Sequence, residues 1–167
     1  MRKVVEFGLY MFNKYTRIPT TFLRKVMGYA YLLFFYGDLV GYESLIKVLE
    51  KEETMKLPGD VIEIGSFVGG GTRKLAKYGL RFKKKVYAID IFDPSADLII
   101  CEKGISMADI YSNYLQKLGL MMFEAYWFNV GRFPNVVTLC ADSKKSNSLN
   151  RRSSALVSLM EIILQNT

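Results

Sequence analysis

A glycine-rich segment and an aspartate follow two apolar runs in the first half of the chain. The run VIEI leads into GSFVGGGT, residues 65–72, and the run VYAI ends at Asp90. Glycine lets a ligand approach the main chain closely and adopts positive φ without strain. A carboxylate at a strand end accepts hydrogen bonds from adjacent ribose hydroxyls, and Asp90 lies 25 residues after Gly65, near the spacing of nucleoside sites. We therefore predict a nucleoside-binding site; the alternative is that Asp90 only caps the next turn.

The spacing of the glycines distinguishes this segment from two other nucleotide-binding motifs. Gly65, Gly69 and Gly71 give the pattern GxxxGxG, whereas the dinucleotide fingerprint is GxGxxG. The lysine of a P-loop is missing from its required position, since Arg73 follows Thr72. A nicotinamide-dependent enzyme is therefore the less favoured alternative.

Alternating strands and helices must bring these residues to one edge of a sheet. Ser106 is placed to cap a helix that has Asp109 near its start. Apolar, β-branched runs predict three buried strands, with a helix over 72–82 between the first two; the strands are 61–65, 85–90 and 135–141. This alternation is typical of an α/β fold with parallel strands side by side. We predict a partial Rossmann-like sheet of three strands with flanking helices, preceded by an N-terminal helical segment.

The chain divides into three predicted segments. Residues 1–57 carry apolar positions at helical spacing, and residues 58–143 hold the α/β half-domain with the glycine segment. Residues 144–167 form an atypical tail that is polar and basic at first and then reads ALVSLMEIILQN, a short amphipathic or buried helix.

Composition excludes several kinds of site. The sequence has no histidine, which excludes an imidazole-based zinc site and a histidine-based triad. Cys101 and Cys140 stand in no metal-binding pattern, so we expect reduced, partly buried cysteines in a cytoplasmic protein. The longest uncharged run, Val26–Gly37, is too short to span a bilayer. We expect a buried or docking helix there, with a position at a membrane interface as the alternative.

The segment between the two apolar runs is strongly basic. It contains seven cations and no acid: Arg73, Lys74, Lys77, Arg81, Lys83, Lys84 and Lys85. We interpret it as a solvated helix face and helix end; the alternative is a patch that contacts the phosphates of RNA or DNA.

Three motifs in order resemble one protein family. VIEIGSFVGGGT is similar to motif I, [DE]-x-G-x-x-x-G-x-G, of the class I S-adenosylmethionine-dependent methyltransferases. VYAIDIFD resembles their second motif, and NVVTLCADS resembles their third-strand motif. The resemblance covers about residues 43 to 143 and includes features of small-molecule enzymes such as macrocin-type O-methyltransferases. It implies S-adenosylmethionine as cofactor and a small-molecule acceptor.

The resemblance also implies roles for individual residues. Glu63 would help to hold the methionine amino group, directly or through water. Asp90 would bind the ribose hydroxyls, Ile91 would pack on the adenine face, and Asp142 would lie near the adenine amine. The loop under the methionine and ribose would be formed by Gly65, Ser66, Gly69 and Gly71, with Phe67 and Thr72 of the same segment also counted as cofactor-binding.

The sequence departs from the family after the third strand. The 24 residues after Ser143 contain no acidic fourth strand of the family's kind, so no catalytic residue is assigned. The first strand would then be an exposed edge, and we expect the tail helix or a second copy of the chain to cover it. The alternative to an active enzyme is a truncated, non-catalytic remnant that binds a nucleoside or a partner.

Overall fold

A computed structural model of the chain describes residues 19–35, 37–38, 41–101 and 104–142. The described helices and strands are, in chain order, α1 (Thr20–Phe35), α2 (Tyr42–Lys51), β1 (Val61–Ile64), α3 (Gly70–Arg81), β2 (Val86–Asp90), α4 (Met107–Leu118), α5 (Met122–Val130) and β3 (Val136–Cys140). Short 3-10 turns lie at Thr54–Lys56 and Pro94–Ala96. The predicted tail helix lies outside the described residues.

The three strands form one parallel sheet in the order β1-β2-β3. Glu63 pairs with Ala88, and Ala88 pairs with Thr138 in the next strand. The predicted α/β fold, with an N-terminal helical segment and a three-stranded parallel sheet, is confirmed. Since both crossovers advance in the same direction along the sheet, right-handed connections place α3 and α5 on the same face. Contact between these two helices agrees with that arrangement.

Helix α4 begins and ends as its sequence predicts. The Ser106 hydroxyl accepts a hydrogen bond from the Asp109 backbone N–H at 3.0 Å, and Gly119 ends the helix in the left-handed conformation. Helix α5 was not predicted. Its sequence, MFEAYWFNV, is apolar nearly all round, so it lacks the one-sided periodicity by which a surface helix is recognised.

The helix predicted over 72–82 is present, but it starts earlier, and the expected burial of Cys140 is wrong. Helix α3 begins at Gly70, two residues before Thr72, because Gly69 takes the left-handed N-cap conformation with φ of 76°. The Thr72 side chain is consequently inside the helix and buried. Cys140, expected to be partly buried, is exposed at the end of strand β3.

Helix α1 is joined to α4 and α5 through the larger apolar core. This core consists of Leu32, Val68, Leu115, Leu118, Leu120, Met122 and Ala125. Gly28 permits the close approach of α1, since a Cβ there would lie 2.1 Å from the Leu118 carbonyl oxygen. None of the described helices is long and apolar enough to cross a membrane.

Candidate functional site

Gly65 marks the point where the main chain leaves the sheet at its carboxyl edge. Its N–H still donates to the Ile89 carbonyl at 2.9 Å, and its φ of 84° then turns the chain away from β1. A Cβ added at Gly65 would have no heavy atom within 4 Å. The main chain at this position is therefore open on the side where a side chain would project, which is the condition for close approach by a ligand.

The Asp90 carboxylate lies directly beside this bend. One oxygen, Oδ2, accepts from the Phe67 N–H at 2.8 Å, and Oδ1 accepts from the Phe92 N–H at 2.7 Å. Asp90 therefore does cap a turn, as the alternative interpretation of the sequence proposed. A carboxylate offers about four lone-pair sites over its two oxygens, so each oxygen can still accept a further hydrogen bond. Capping and ribose binding are thus compatible in this geometry.

The two residues that donate to Asp90 both have strained backbones. Phe67 has φ of 49° and Phe92 has φ of 52°, a left-handed conformation that non-glycine residues rarely adopt. Aromatic packing holds both in place, with Phe67 at 4.5 Å from Tyr111 and Phe92 at 4.7 Å from Tyr126, measured between ring centroids. Such strain persists only where the surroundings enforce it, and it occurs often in ligand-binding loops.

A cleft of about 270 Å³ opens between Gly65 and Asp90 at this edge of the sheet. That volume lies near the lower end of the range of small-molecule sites, roughly 300–1,000 Å³. The walls include five of the predicted cofactor-binding residues, namely Gly65, Phe67, Asp90, Ile91 and Asp142. The remaining wall residues are Ile64, Ile89, Asp93, Ala96, Asp97, Ile99, Tyr111, Met122 and Ala141.

The cleft is acidic although the chain carries a net charge of +7. Among the described residues, four aspartates and no lysine or arginine line it: Asp90, Asp93, Asp97 and Asp142. Burial raises the pKa of Tyr111, and the nearby carboxylates of Asp97 and Asp90 raise it further. This environment favours a ligand with positive charge or with several hydrogen-bond donors. It opposes the pyrophosphate of a dinucleotide.

Glu63 is held behind the glycine loop and is not among the cleft walls. Its side chain is only 5% exposed and accepts hydrogen bonds from the Ser66 hydroxyl at 3.2 Å and the Thr72 hydroxyl at 2.5 Å. The Tyr42 hydroxyl, from α2, also donates to it. Burial raises the pKa of Glu63, while these three hydrogen bonds oppose the rise. The arrangement fixes both ends of the loop to one carboxylate.

The two later glycines of the motif are required by packing within the protein. A Cβ at Gly69 would lie 2.6 Å from Val130 and 2.9 Å from Tyr126, both on α5. A Cβ at Gly71 would lie 2.5 Å from the Tyr42 ring. Unlike Gly65, neither residue lines the cleft.

Most of the basic segment is engaged within the protein. Arg73 is buried. Two cations of the helix form ion pairs with the N-terminal segment: Lys74 with Asp38 at 2.6 Å and with Glu43, and Arg81 with Glu50 at 2.9 Å. Lys84 donates hydrogen bonds to the carbonyls of Leu57 and Gly59. The three others, Lys77, Lys83 and Lys85, are exposed. The segment thus ties α3 to the N-terminal helical segment and the residues before β2 to the turn before β1. This favours a helix face and helix end over a phosphate-binding patch, although only part of the face is solvated as predicted.

Sequence reasoning missed Tyr42 and Tyr111, two tyrosines that contact residues of the loop. Tyr111 lies on the apolar side of α4, four and seven residues before Leu115 and Leu118, so helical periodicity could have placed it inward. No sequence signal connects Tyr42 with Glu63, because only the packing of α2 against α3 brings them together.

Comparison with known proteins finds no matching family model and no significantly similar curated protein or solved structure. Within the described ranges, no group of three or more His, Cys, Asp or Glu side chains is arranged to hold a metal ion.

Proposed function

We propose that the chain binds S-adenosylmethionine and acts as a class I methyltransferase on a small molecule. One observation carries the proposal: the open main chain at Gly65 and the Asp90 carboxylate lie side by side in a single cleft. The Phe67 N–H, two residues along the loop from Gly65, donates a hydrogen bond to Asp90 and so fixes the two features relative to each other.

In this proposal, the wall residues of the cleft contact the ribose and then the adenine of the adenosyl group. The two acceptor sites left on Asp90 suit the adjacent ribose hydroxyls, and Gly65 leaves room for the ligand against the main chain. Ile91 follows Asp90 and would pack on the adenine face, while Asp142, in the wall beyond β3, would accept from the adenine amine. Asp90 is the last residue of β2, Ile91 follows it, and Asp142 lies two residues after the end of β3.

The charge of the cleft supports this ligand over a nicotinamide dinucleotide. The sulfonium and amino groups of S-adenosylmethionine are cations, and four aspartates line the walls. A dinucleotide would bring two phosphate charges close to the same carboxylates, which is unfavourable in a partly enclosed cleft.

When bound, S-adenosylmethionine supplies a methyl group on a sulfonium for in-line displacement by an acceptor. The protein contributes chiefly by orientation, which is the main requirement of such a transfer. Glu63 acts in this proposal as a positioning residue, because it anchors Ser66 and Thr72 on either side of the loop.

Calorimetric titration with S-adenosylhomocysteine and with NAD tests the proposal. We expect one site per chain for S-adenosylhomocysteine and none for NAD; binding of NAD alone would overturn the assignment. Asp90→Asn should weaken binding at least tenfold, because one acceptor oxygen becomes a donor that opposes a backbone N–H. Asp60→Asn is the matched control, since Asp60 accepts from the Lys85 N–H at the opposite end of the sheet.

Turnover separates an enzyme from a binding module. If radiolabelled methyl groups are transferred to small-molecule acceptors, the chain is a methyltransferase. Tight binding of S-adenosylhomocysteine without transfer to any acceptor tested would instead favour the non-catalytic alternative.

A further inference from the structure

Helix α1 turns an apolar face away from the helices on which it packs. On its inner side, Gly28 lies close to the Leu118 carbonyl oxygen of α4, and Leu32 belongs to the larger apolar core. Since an α-helix turns by about 100° per residue, the opposite side of α1 is centred on Ala30. From Phe22 onward, each side chain within about 80° of this centre is apolar. We call this set the outer face: Phe22, Leu23, Val26, Met27, Ala30, Leu33 and Phe34.

The outer face is exposed in the described structure. Phe34 is 77% exposed, Phe22 is 58% exposed and Leu33 is 51% exposed. Leu23 is half-buried, and the three remaining residues of the face are exposed. A helix face that meets only water is normally polar, and a contiguous exposed apolar surface marks a place of interaction. We therefore expect this face to meet something other than water.

The charged side chains of α1 lie between the outer face and the protein beneath it. Arg24 and Lys25 are the only charged residues in the helix, and both are exposed. Arg24 lies beside Gly119 at the end of α4, and the Lys25 ammonium pairs with Glu124 of α5 at 2.9 Å. Since Glu124 offsets the charge of Lys25, Arg24 gives this boundary a positive charge. The outer face is thus bordered by a cation and contains no acid.

We propose that the outer face of α1 docks on the surface of an anionic lipid bilayer. Its aliphatic and aromatic side chains enter the upper part of the acyl layer, and Arg24 contacts lipid phosphates at the level of the headgroups. The helix has 16 residues and is about 24 Å long, shorter than the roughly 30 Å hydrocarbon core. Because its inner side is packed on α4 and α5, α1 lies along the bilayer surface and does not cross it. The sequence of Val26–Gly37 left this position open as an alternative.

A second copy of the chain is the competing occupant, and the size of the outer face argues against it. A helix face about 24 Å long and about 10 Å wide covers roughly 240 Å². Even if the relief of the side chains doubles that area, it remains below the roughly 800 Å² that each partner contributes to a stable interface. A bilayer sets no such minimum, because each apolar side chain that enters it contributes separately to binding. The net charge of +7 also favours an anionic surface over an identical, equally charged chain.

Flotation of the full-length chain with lipid vesicles tests the proposal. We expect it to bind phosphatidylcholine vesicles that contain phosphatidylserine at least threefold more strongly than vesicles of phosphatidylcholine alone. Leu33→Glu should weaken binding to the mixed vesicles at least tenfold, because it places a carboxylate at the acyl layer. Leu57→Glu is the matched control: this leucine lies before β1 and is 61% exposed, so the same charge should change binding less than twofold. Equal effects of the two substitutions, or no binding of the unmodified chain, would overturn the proposal.

Two further measurements distinguish a bilayer from other cover. Both glutamate variants should keep the melting temperature of the unmodified chain, because both leucines are exposed. A lower value for Leu33→Glu alone would show that the face is covered within the protein and would overturn the proposal.

Fluorescence quenching reports contact with the acyl chains directly. Trp127, the single tryptophan of the chain, is first replaced by phenylalanine. Vesicles with brominated acyl chains should then quench the fluorescence of Phe34→Trp at least twofold and leave that of Leu57→Trp unchanged. Absence of quenching in Phe34→Trp would overturn the proposal, and so would a dimer in solution that Leu33→Glu dissociates.

Discussion

Alanine at position 65 tests whether the glycine is needed for the ligand or only for the turn. At φ of 84°, a residue with a Cβ loses roughly 1–2 kcal/mol relative to glycine. In a protein of this size each kcal/mol lowers the melting temperature by about 2–4 °C, so we expect a fall of about 2–8 °C. No further steric loss is expected in the free protein, because no heavy atom lies within 4 Å of the new methyl group.

The same methyl group would project into the space that we assign to the ligand. We expect the affinity of Gly65→Ala for S-adenosylhomocysteine to fall more than tenfold, a loss of more than about 1.4 kcal/mol, measured by calorimetry. Gly41→Ala is the matched control, since Gly41 has φ of 81°, has no atom within 4 Å of its added Cβ, and lies outside the cleft. It should lose similar stability and keep its affinity. Affinity of Gly65→Ala within twofold of the unmodified protein would refute close approach at Gly65.

Three further predictions concern the support of the loop. Gly71→Ala should destabilise the protein by about 1–3 kcal/mol in urea denaturation, because the added methyl group overlaps the Tyr42 ring. Gly79→Ala in the same helix is the control and should be tolerated, since the nearest atom to its added Cβ lies at 3.3 Å. Tyr42→Phe keeps the ring but removes a donor to a buried carboxylate, and urea denaturation at neutral pH should show a loss of about 1.5–3 kcal/mol. Burial raises the pKa of Glu63 above 4.5, so the folded state binds the carboxyl proton of Glu63 more tightly than the unfolded chain does. The stability gained from this proton binding is lost as the pH rises through the raised pKa. Glu63→Gln cannot ionise, so its stability relative to the unmodified protein should increase as the pH is raised from about 4.5; a constant difference across that range would contradict a raised pKa.

The sequence predicts the sheet well because each strand is specified locally. The runs that form β1, β2 and β3 are short, apolar and rich in β-branched residues, and turn signals bound them. Glycine placement also predicts where the main chain leaves the sheet, since glycine adopts positive φ without strain and Gly65 turns the chain there with φ of 84°. Helix α5 could not be found in the same way, because a helix that is apolar nearly all round carries no one-sided periodicity.

The candidate site is predictable only in the part that the strand ends determine. Asp90 and Ile91 reach the cleft because strand β2 ends there, and Asp142 reaches it because β3 ends beside β2. The hydrogen bond from Tyr42 to Glu63 depends instead on how α2 packs against α3, which the local sequence does not encode. The sequence therefore predicts which residues meet at the sheet edge but not which hydroxyls surround the buried carboxylate.

The glycines of the motif meet two different physical requirements. Gly65 faces the cleft and has open space beyond it, whereas Gly69 and Gly71 are pressed against α5 and Tyr42. Close packing at the two later positions fixes the start of α3, and Glu63 then binds Thr72 inside that helix. The loop is consequently held at its far end by packing and at its near end by the sheet. A ligand that contacts Gly65 therefore meets a main chain that is already in position, and little conformational entropy need be lost on binding.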